Sequence, residues 1–91
     1  MYDPNPTKSI ANLASHGVSF ESAERFEWDT ALEAPDTRHP YPEVRTIAIG
    51  YLGDRLHVAV DTMRAGRVRF ISVRKAHPKE AERYVEFFAE G

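Results

Sequence analysis

The stretch VRTIAIGYLGDRLHVAVDTMRAGRVRFISVRK, residues 44–75, decides the fold of this chain. Its many β-branched residues favour extended backbone, and short breaks interrupt it at 52–54 (LGD) and at 64–66 (RAG). Breaks of this length join neighbouring strands as hairpins. The stretch therefore predicts three strands in an antiparallel meander.

Two helices are predicted on the N-terminal side of this stretch. Thr7 is a suitable N-cap for a helix over residues 8–15, which Gly17 ends. Ser19 is suited to cap a second helix over residues 20–27. Apolar side chains at helical spacing support the first helix at Ile10, Leu13 and Ala14, and the second at Phe20, Ala23 and Phe26.

The segment between the second helix and the strands is predicted to be a loop. Three prolines between positions 35 and 42 exclude a continuous helix there. Residues 31–34, just before them, predict an edge strand. Beyond the strands, Pro78 suits the first turn of a helix over residues 78–88.

These elements together predict an α+β fold. Two N-terminal helices and one C-terminal helix are expected to pack on a small antiparallel sheet of three or four strands. On the last strand, Val68 and Phe70 are expected to point to one face, and Ile71 and Val73 to the other. Both faces of the sheet are therefore expected to carry apolar cover, with helices on one or both of them.

Length and composition limit the classes of protein to which the chain can belong. Its 91 residues, 42% of them hydrophobic, predict one domain over residues 1–91 with a small core. The absence of cysteine excludes disulfides and thiolate zinc sites, and the four histidines lack the spacing of a metal motif. No stretch approaches the roughly 20 apolar residues of a membrane span. We therefore expect a cytoplasmic protein with no metal site and no cofactor.

A net charge of −2 conceals an asymmetry between the two halves of the chain. Residues 1–43 carry a charge of −5 and residues 44–91 carry +3. The basic residues between positions 64 and 83 are Arg64, Arg67, Arg69, Arg74, Lys75, Lys79 and Arg83. Such a local positive field attracts phosphate, which favours an RNA-directed activity. The alternative is that these side chains solvate strand edges and pair with nearby acids such as Glu43, Glu80 and Glu82.

Several short motifs, in their order along the chain, resemble a known family. They are Lys8-x-x-x-Asn12, HGVSFE at 16–21, His39 with Arg45, IAIG at 47–50, ISVRKA at 71–76 and Glu80-x-x-x-Tyr84. Together they look like the BrnT family of type II toxin–antitoxin toxins, over residues 2–84. The resemblance implies a fold similar to RelE-type ribonucleases and RNA cleavage that arrests translation. It also implies neutralisation, as a heterotetramer, by a BrnA-type antitoxin that binds the operator DNA.

The resemblance and the basic cluster together identify candidate site residues. The expected catalytic residues are Arg64, Arg74, Glu80, Tyr84 and His39, and the expected RNA-binding residues are Arg45, Arg67, Arg69 and Lys75. Asp61 departs from the family, in which an aromatic residue is common at this position. No metal ligand is expected among these residues.

Cleavage of RNA without a metal sets three tasks for such side chains. The 2′-hydroxyl must lose a proton, the phosphorane must be stabilised, and the leaving 5′-oxygen must gain a proton. Arginine suits the second task because its planar guanidinium stays charged and can bind two phosphate oxygens. Arg64 and Arg74 are therefore expected to hold the phosphate. Glu80 or His39 is the expected base, and an arginine or Tyr84 the expected acid.

Three alternatives stay open at the level of sequence. Tyr84 shares an apolar helix face with Ala81 and Phe88, so a core tyrosine is an alternative to its role as a catalytic acid. Trp28 suits either an antitoxin interface or the edge of the core. The third alternative is that the whole chain is a non-catalytic interaction domain that keeps the fold and the antitoxin contact but lacks RNA cleavage.

Overall fold

The three strands predicted within residues 44–75 form in the structure, and a fourth joins them. The structure is a computed structural model that describes residues 2–90, the side chain of Glu90 excepted. In chain order the elements are α1 (Pro6–His16), α2 (Phe20–Ala23), a 3₁₀ turn (Trp28–Thr30), β1 (Leu32–Pro35), β2 (Arg45–Leu52), β3 (Arg55–Arg64), β4 (Arg67–Lys75) and α3 (Pro78–Glu90). The predicted α+β fold class is confirmed.

Two tight turns join β2, β3 and β4 into the predicted meander. The strands lie in the order β1-β2-β3-β4, and every pair is antiparallel. In the β3–β4 turn, Ala65 has φ 53° and Gly66 has φ 76°. Two successive positive φ angles are typical of a type I′ turn, whose twist matches that of the flanking strands.

A β-bulge on β4 changes the side-chain alternation expected for that strand. Val60 pairs with Ser72 while Asp61 pairs with Phe70, which leaves Ile71 as an extra residue on β4. As a result Phe70 and Val73 lie in the same hydrophobic cluster instead of on opposite faces. The expected alternation was wrong at this point because the extra residue shifts the pleat by one position.

Both faces of the sheet are covered, as expected. On one face, here called the α2 face, a core forms between the N-terminal segments and the sheet; its buried members are Val18, Phe20, Ala23, Phe26, Ala48, Ala59, Phe70 and Val73. On the opposite face, called the α3 face, Tyr84 of α3 packs with Ile49 and Val58. The cover of the α3 face is small, and the rest of that face is left for the groove described below.

Helix α1 begins earlier than expected and turns a polar side toward the sheet. Asn5, not Thr7, is the N-cap, because Pro6 fits the first helical turn and the Asn5 side chain accepts from the Lys8 N–H. Gly17 ends the helix with φ 75°, as predicted. The apolar stripe does not face the core: Ile10 is 70% exposed and Leu13 is 50% exposed, whereas Ser9 and Asn12 are buried.

Helix α2 is shorter than the predicted helix over residues 20–27. Ser19 caps it as expected, by accepting from the Ser22 N–H. The helix stops at Ala23, and the Glu27 N–H donates to the carbonyl of Tyr51 on β2. The Glu27 N–H thus bonds to a carbonyl of the sheet instead of a carbonyl of the helix. The Phe26 ring lies so close to Gly50 that a Cβ there would be 2.8 Å from its Cζ atom.

Side chain and backbone groups from the N-terminus protect the exposed edge of β4. The Asn12 side chain accepts from the Val73 N–H at 3.2 Å and donates to the Val73 carbonyl at 2.8 Å. Farther along the same strand, the Asp3 N–H donates to the carbonyl of Val68. These contacts occupy groups that an edge strand would otherwise offer to another chain. Over residues 2–90, no helix is long and apolar enough to cross a membrane.

Candidate functional site

All five predicted site arginines lie on the α3 face of the sheet, and four of them line the depression described below. Arg45 pairs with Thr62 of β3, and Thr62 pairs in turn with Arg69 of β4. Arg64 ends β3 on the same face, two positions beyond Thr62. Arg74 pairs with Val58, four positions before Thr62, and therefore also shares the face.

The bulge at Ile71 is what brings Arg69 and Arg74 to one face. They are five positions apart, and an odd difference in position would place them on opposite faces of a regular strand. The extra residue restores an even spacing across the pleat. Sequence alternation alone could not reveal this arrangement.

These side chains line a continuous depression, here called the arginine groove. One cavity of about 260 Å³ is lined by Arg38, Arg45, Ile47, Val58, Val60, Ile71, Ser72, Arg74 and Glu80. An adjoining cavity of about 400 Å³ is lined by Lys8, Glu43, Arg45, Thr62, Met63, Arg64, Arg69 and Ile71. Arg45 and Ile71 belong to both cavities and join them. Five arginines and one lysine thus face two carboxylates, so the groove is electropositive.

Arg74 is held in place by Glu80. Its two terminal nitrogens donate to the two carboxylate oxygens of Glu80, each at 2.8 Å. Glu80 also accepts from the His77 N–H at 2.7 Å, which closes the first turn of α3. Hydrogen bonding from Arg74 lowers the pKa of Glu80 to about 2, and the pair raises the pKa of Arg74. Glu80 is therefore a weak base near neutral pH and serves to orient Arg74.

Arg38 is a groove residue that the sequence analysis did not select. Its guanidinium donates twice to the buried carboxylate of Asp36, at 2.8 Å for each bond. Hydrogen bonding from Arg38 lowers the pKa of Asp36 to about 2. The Asp36 N–H donates to the carbonyl of Arg45, which ties this loop to β2. The available sequence signal was an aspartate two residues before an arginine in a turn-rich segment.

His39 lies in the loop beside the groove. Its ring contacts the Tyr41 ring edge-on, with centroids 5.6 Å apart, and the Arg45 guanidinium lies 4.0 Å from the Tyr41 centroid. Arg45 also donates to Glu43 at 2.8 Å. The loop forms its own cavity of about 520 Å³, which shares Arg38 and Arg45 with the arginine groove. The histidine is exposed at this mouth.

The other predicted residues differ in how they relate to the groove. Arg64 lines it, and its side chain has no hydrogen bond or ion pair with any residue that the structure describes. Arg69 lines it with an ion pair to Asp3 at 3.5 Å. Arg67 is exposed at the base of the β3–β4 turn, opposite Arg64. Lys75 pairs with His57 and therefore lies on the α2 face, away from the groove.

Tyr84 has the surroundings of a core residue. It is 7% exposed and its hydroxyl donates to the carbonyl of Thr30 at 2.8 Å. Its ring meets that of Tyr51 edge-on at 5.7 Å. This placement favours the core alternative for Tyr84 and leaves it outside the residues that line the groove cavities.

Trp28 lies at the edge of the α2-face core. Its ring stacks on Phe70 at 6.3 Å and meets Phe26 edge-on at 4.7 Å, while its Nε1–H donates to the Tyr2 hydroxyl at 2.8 Å. The side chain is half-buried. Within the described part of the chain, no group of three or more His, Cys, Asp or Glu residues is placed to hold a metal ion.

A comparison with protein-family models found one match that covers most of the chain. The family is described as "Ribonuclease toxin, BrnT, of type II toxin-antitoxin system", and the match spans residues 2–80. No curated protein and no solved structure matches the chain. The matched range includes every strand of the sheet and the first residues of α3.

Proposed function

The chain belongs to the BrnT family of ribonuclease toxins of type II toxin–antitoxin systems, and we propose that it cleaves RNA in the arginine groove without a metal ion. Cleavage of RNA in the cytoplasm would arrest translation. A type II toxin is neutralised by an antitoxin protein, which is the partner that the family implies. The fold is proposed to be RelE-like.

The arginine groove is the observation that supports this proposal. It gathers Arg38, Arg45, Arg64, Arg69 and Arg74 on one side of the sheet, with Lys8 at its margin. Guanidinium groups at close spacing suit a phosphodiester backbone, because each can bind two phosphate oxygens and none loses its charge at neutral pH. Cations aimed at the developing phosphorane are the largest contribution expected in a site of this kind.

The roles within the groove follow from the contacts of each side chain. Arg64 has its donors available for phosphate, and Arg74 presents a guanidinium whose orientation is set by Glu80. Arg45 and Arg69 lie between them and are proposed to bind the neighbouring phosphates. Arg67, at the rim, and Lys75, on the other face, would contact RNA only outside the groove.

Proton transfer is proposed for His39. Imidazole is the side chain that most often transfers protons at neutral pH. His39 borders the groove through the loop that also carries Arg38 and Tyr41. Glu80 is unsuited to the role of base because its pKa of about 2 keeps the carboxylate weakly basic. Tyr84 is proposed to support α3, with its hydroxyl engaged by Thr30.

The antitoxin is proposed to be BrnA-like, to form a heterotetramer with the toxin, and to bind operator DNA. Covering the arginine groove would exclude RNA from it. Membership of a type II toxin family supports an antitoxin that is a protein. The positive charge of the groove supports a contact with acidic side chains of that protein.

A second candidate function is a non-catalytic interaction domain. The observation that favours it is that Arg38, Arg45, Arg69 and Arg74 each pair with a carboxylate of the same chain. Ion pairs of this kind leave fewer donors for RNA. The two functions differ in one testable outcome, which is whether the chain stops growth.

Induced expression in bacteria tests the proposed toxicity. We expect wild type to arrest growth, with decay of total RNA, because the groove cleaves RNA. The Arg64→Ala/Arg74→Ala double variant should permit growth, since both groups proposed to hold the phosphate are removed. Growth curves and gel analysis of total RNA provide the readout.

A matched control uses Arg55→Ala/Arg83→Ala, which removes two exposed arginines that do not line the groove cavities. This variant should remain toxic. Normal growth during expression of folded wild-type protein would support the interaction-domain alternative. Full toxicity of the Arg64→Ala/Arg74→Ala variant would exclude the proposed role of these two arginines.

A further inference from the structure

Asp61 is a buried carboxylate without a partner among the residues that the structure describes. It lies on β3 and is 6% exposed, and its Oδ2 atom has no hydrogen-bond partner among the described residues. By strand alternation it shares the α2 face with Ala59, so it lies on the side of the sheet opposite the arginine groove. Buried polar groups in native proteins are nearly always hydrogen-bonded, so an exception requires a reason.

The described residues around Asp61 provide no positive charge. Its cross-strand neighbours are Thr46 on β2 and Phe70 on β4, both uncharged. The charged group that acts on it is Glu33 of β1, another carboxylate. Burial, with a smaller contribution from Glu33, raises the pKa of Asp61 to about 6. At neutral pH most molecules therefore still carry an unpaired negative charge at this position.

Two explanations within the chain fail to account for this carboxylate. The described residues hold no cluster of three potential ligands that would make this a metal site. Asp61 also stabilises no turn or helix end, because its side chain makes no hydrogen bond with the described residues and the residue lies inside β3. A buried charge that destabilises the free protein can be retained where a partner supplies the opposite charge.

The surface beside Asp61 suits one class of partner. Trp28, half-buried, stacks on Phe70, the residue paired with Asp61, at 6.3 Å. Glu33 is exposed on the neighbouring edge strand. A carboxylate whose pKa is raised by a second carboxylate is a favourable site for a lysine or arginine side chain, because one cation compensates both negative charges.

We infer that Asp61 and Glu33 together receive a lysine or arginine side chain of the antitoxin. The inference rests on the proposed function only for the existence of that partner. Asp61 pairs with Thr46, which is next to Arg45 on β2. The contact therefore lies at the same level of the strands as the groove, but on the opposite face of the sheet. The antitoxin thereby anchors a basic side chain on the α2 face, in addition to the acidic contact that it makes with the arginine groove on the α3 face.

The test compares toxin variants in binding to the antitoxin encoded by the neighbouring gene, purified and titrated by calorimetry. Asp61→Asn keeps the shape of the side chain and removes the charge. We expect its dissociation constant to rise about 30-fold or more, as for the loss of one member of a buried charge pair. Glu33→Gln should raise it several-fold. Asp54→Asn makes the same substitution at an exposed position in the β2–β3 turn and should leave the dissociation constant unchanged.

Two further measurements separate an anchor from a structural role. Asp61→Asn should cleave RNA at the wild-type rate and should be no less stable than wild type, since it removes an unpaired charge. Carbon-detected NMR of the Asp61 carboxyl should show that its pKa falls when the antitoxin is added, because a cation then faces it.

Several results would overturn the inference. Equal affinity of wild type and Asp61→Asn, with an Asp61 titration that the antitoxin does not change, would exclude the anchor and leave the ribonuclease proposal standing. A wild-type chain that cleaves RNA but binds no antitoxin would remove the anchor in the same way. A wild-type chain that neither cleaves RNA nor binds the antitoxin would contradict the proposed function itself.

Discussion

Two carboxylates of this protein show how the surroundings of a residue decide what it can do. Glu80 accepts two hydrogen bonds from Arg74 and one from the backbone, which lowers its pKa to about 2. Asp61 accepts none and lies beside another acid, and its pKa rises to about 6. The first therefore orients a neighbour as a permanent anion. The second carries a charge that no residue in the described part of the chain compensates.

These opposite shifts give opposite dependences of stability on pH. Because the folded pKa of Asp61 lies above its ordinary value of 3.8, its contribution is present below pH 3.8 and is lost as pH rises through 6. The negative charge of Glu33 also raises the pKa of Asp61 and therefore adds to the same dependence of stability on pH. For Glu80 the contribution is present above its ordinary value of 4.5 and is lost as pH falls toward 2.

The Asp61→Asn variant should remove the loss of stability that occurs above pH 4. Between pH 4 and pH 7, we expect the free energy of unfolding of wild type to fall by about 2 kcal/mol relative to the variant. Urea unfolding at a series of pH values measures this difference, and the titration of Glu80 is common to both proteins. Parallel stability profiles over that range would show that Asp61 is not perturbed in the folded chain.

At the scale of elements, the junction of α1 with β4 depends on one amide side chain. Asn12 bonds both backbone groups of Val73 and donates to the carbonyl of Val18 at 2.7 Å. It thereby imitates a further strand at the edge of the sheet. This explains why the buried face of α1 is polar while Ile10 and Leu13 are exposed.

Replacement of Asn12 should therefore separate α1 from the sheet at a large cost. Asn12→Ala leaves buried backbone groups of Val73 unpaired, and we expect it to lower the free energy of unfolding by about 3 kcal/mol. Asn5→Ala, which removes only the N-cap of α1, is the matched control and should cost about 1 kcal/mol. Urea denaturation gives both values. Equal costs for the two variants would contradict the edge role of Asn12.

Sequence reasoning succeeded for elements whose signals are local. The short breaks at Gly53 and Gly66 predicted the meander, and Gly17 and Ser19 correctly marked one helix end and one helix start. It failed where contacts between residues far apart in the sequence determine the structure. Helix α2 ends early because the Glu27 N–H finds Tyr51 of the sheet, a partner that lies 24 positions away.

The candidate site shows the same division between local and distant signals. The basic residues were found because charge is visible in sequence, and Arg45, Arg64, Arg69 and Arg74 do share a groove. Lys75 was expected to bind RNA together with these arginines, but simple alternation places it on the other face of the sheet. That Arg69 shares the face of Arg74 depends on the bulge at Ile71, which only the pairing of β4 with β3 reveals.

At the scale of the whole molecule, the sheet separates two kinds of surface. Its α3 face carries the arginine groove, and its α2 face carries the buried Asp61 at the edge of an aromatic cluster. The net charge of −2 conceals this division. In the proposed account, RNA binds the positive face while the antitoxin anchors a cation on the opposite one.

Cleavage of RNA by the purified chain tests the central claim most directly. Labelled RNA is incubated with wild type in EDTA, and with two variants from opposite ends of β3, Arg64→Ala in the groove and Arg55→Ala outside it. We expect wild type and Arg55→Ala to cleave at equal rates in EDTA, and Arg64→Ala to be slower by about 100-fold. Equal rates for the two variants, or no cleavage by folded wild type, would contradict the assignment of the arginine groove as a ribonuclease site.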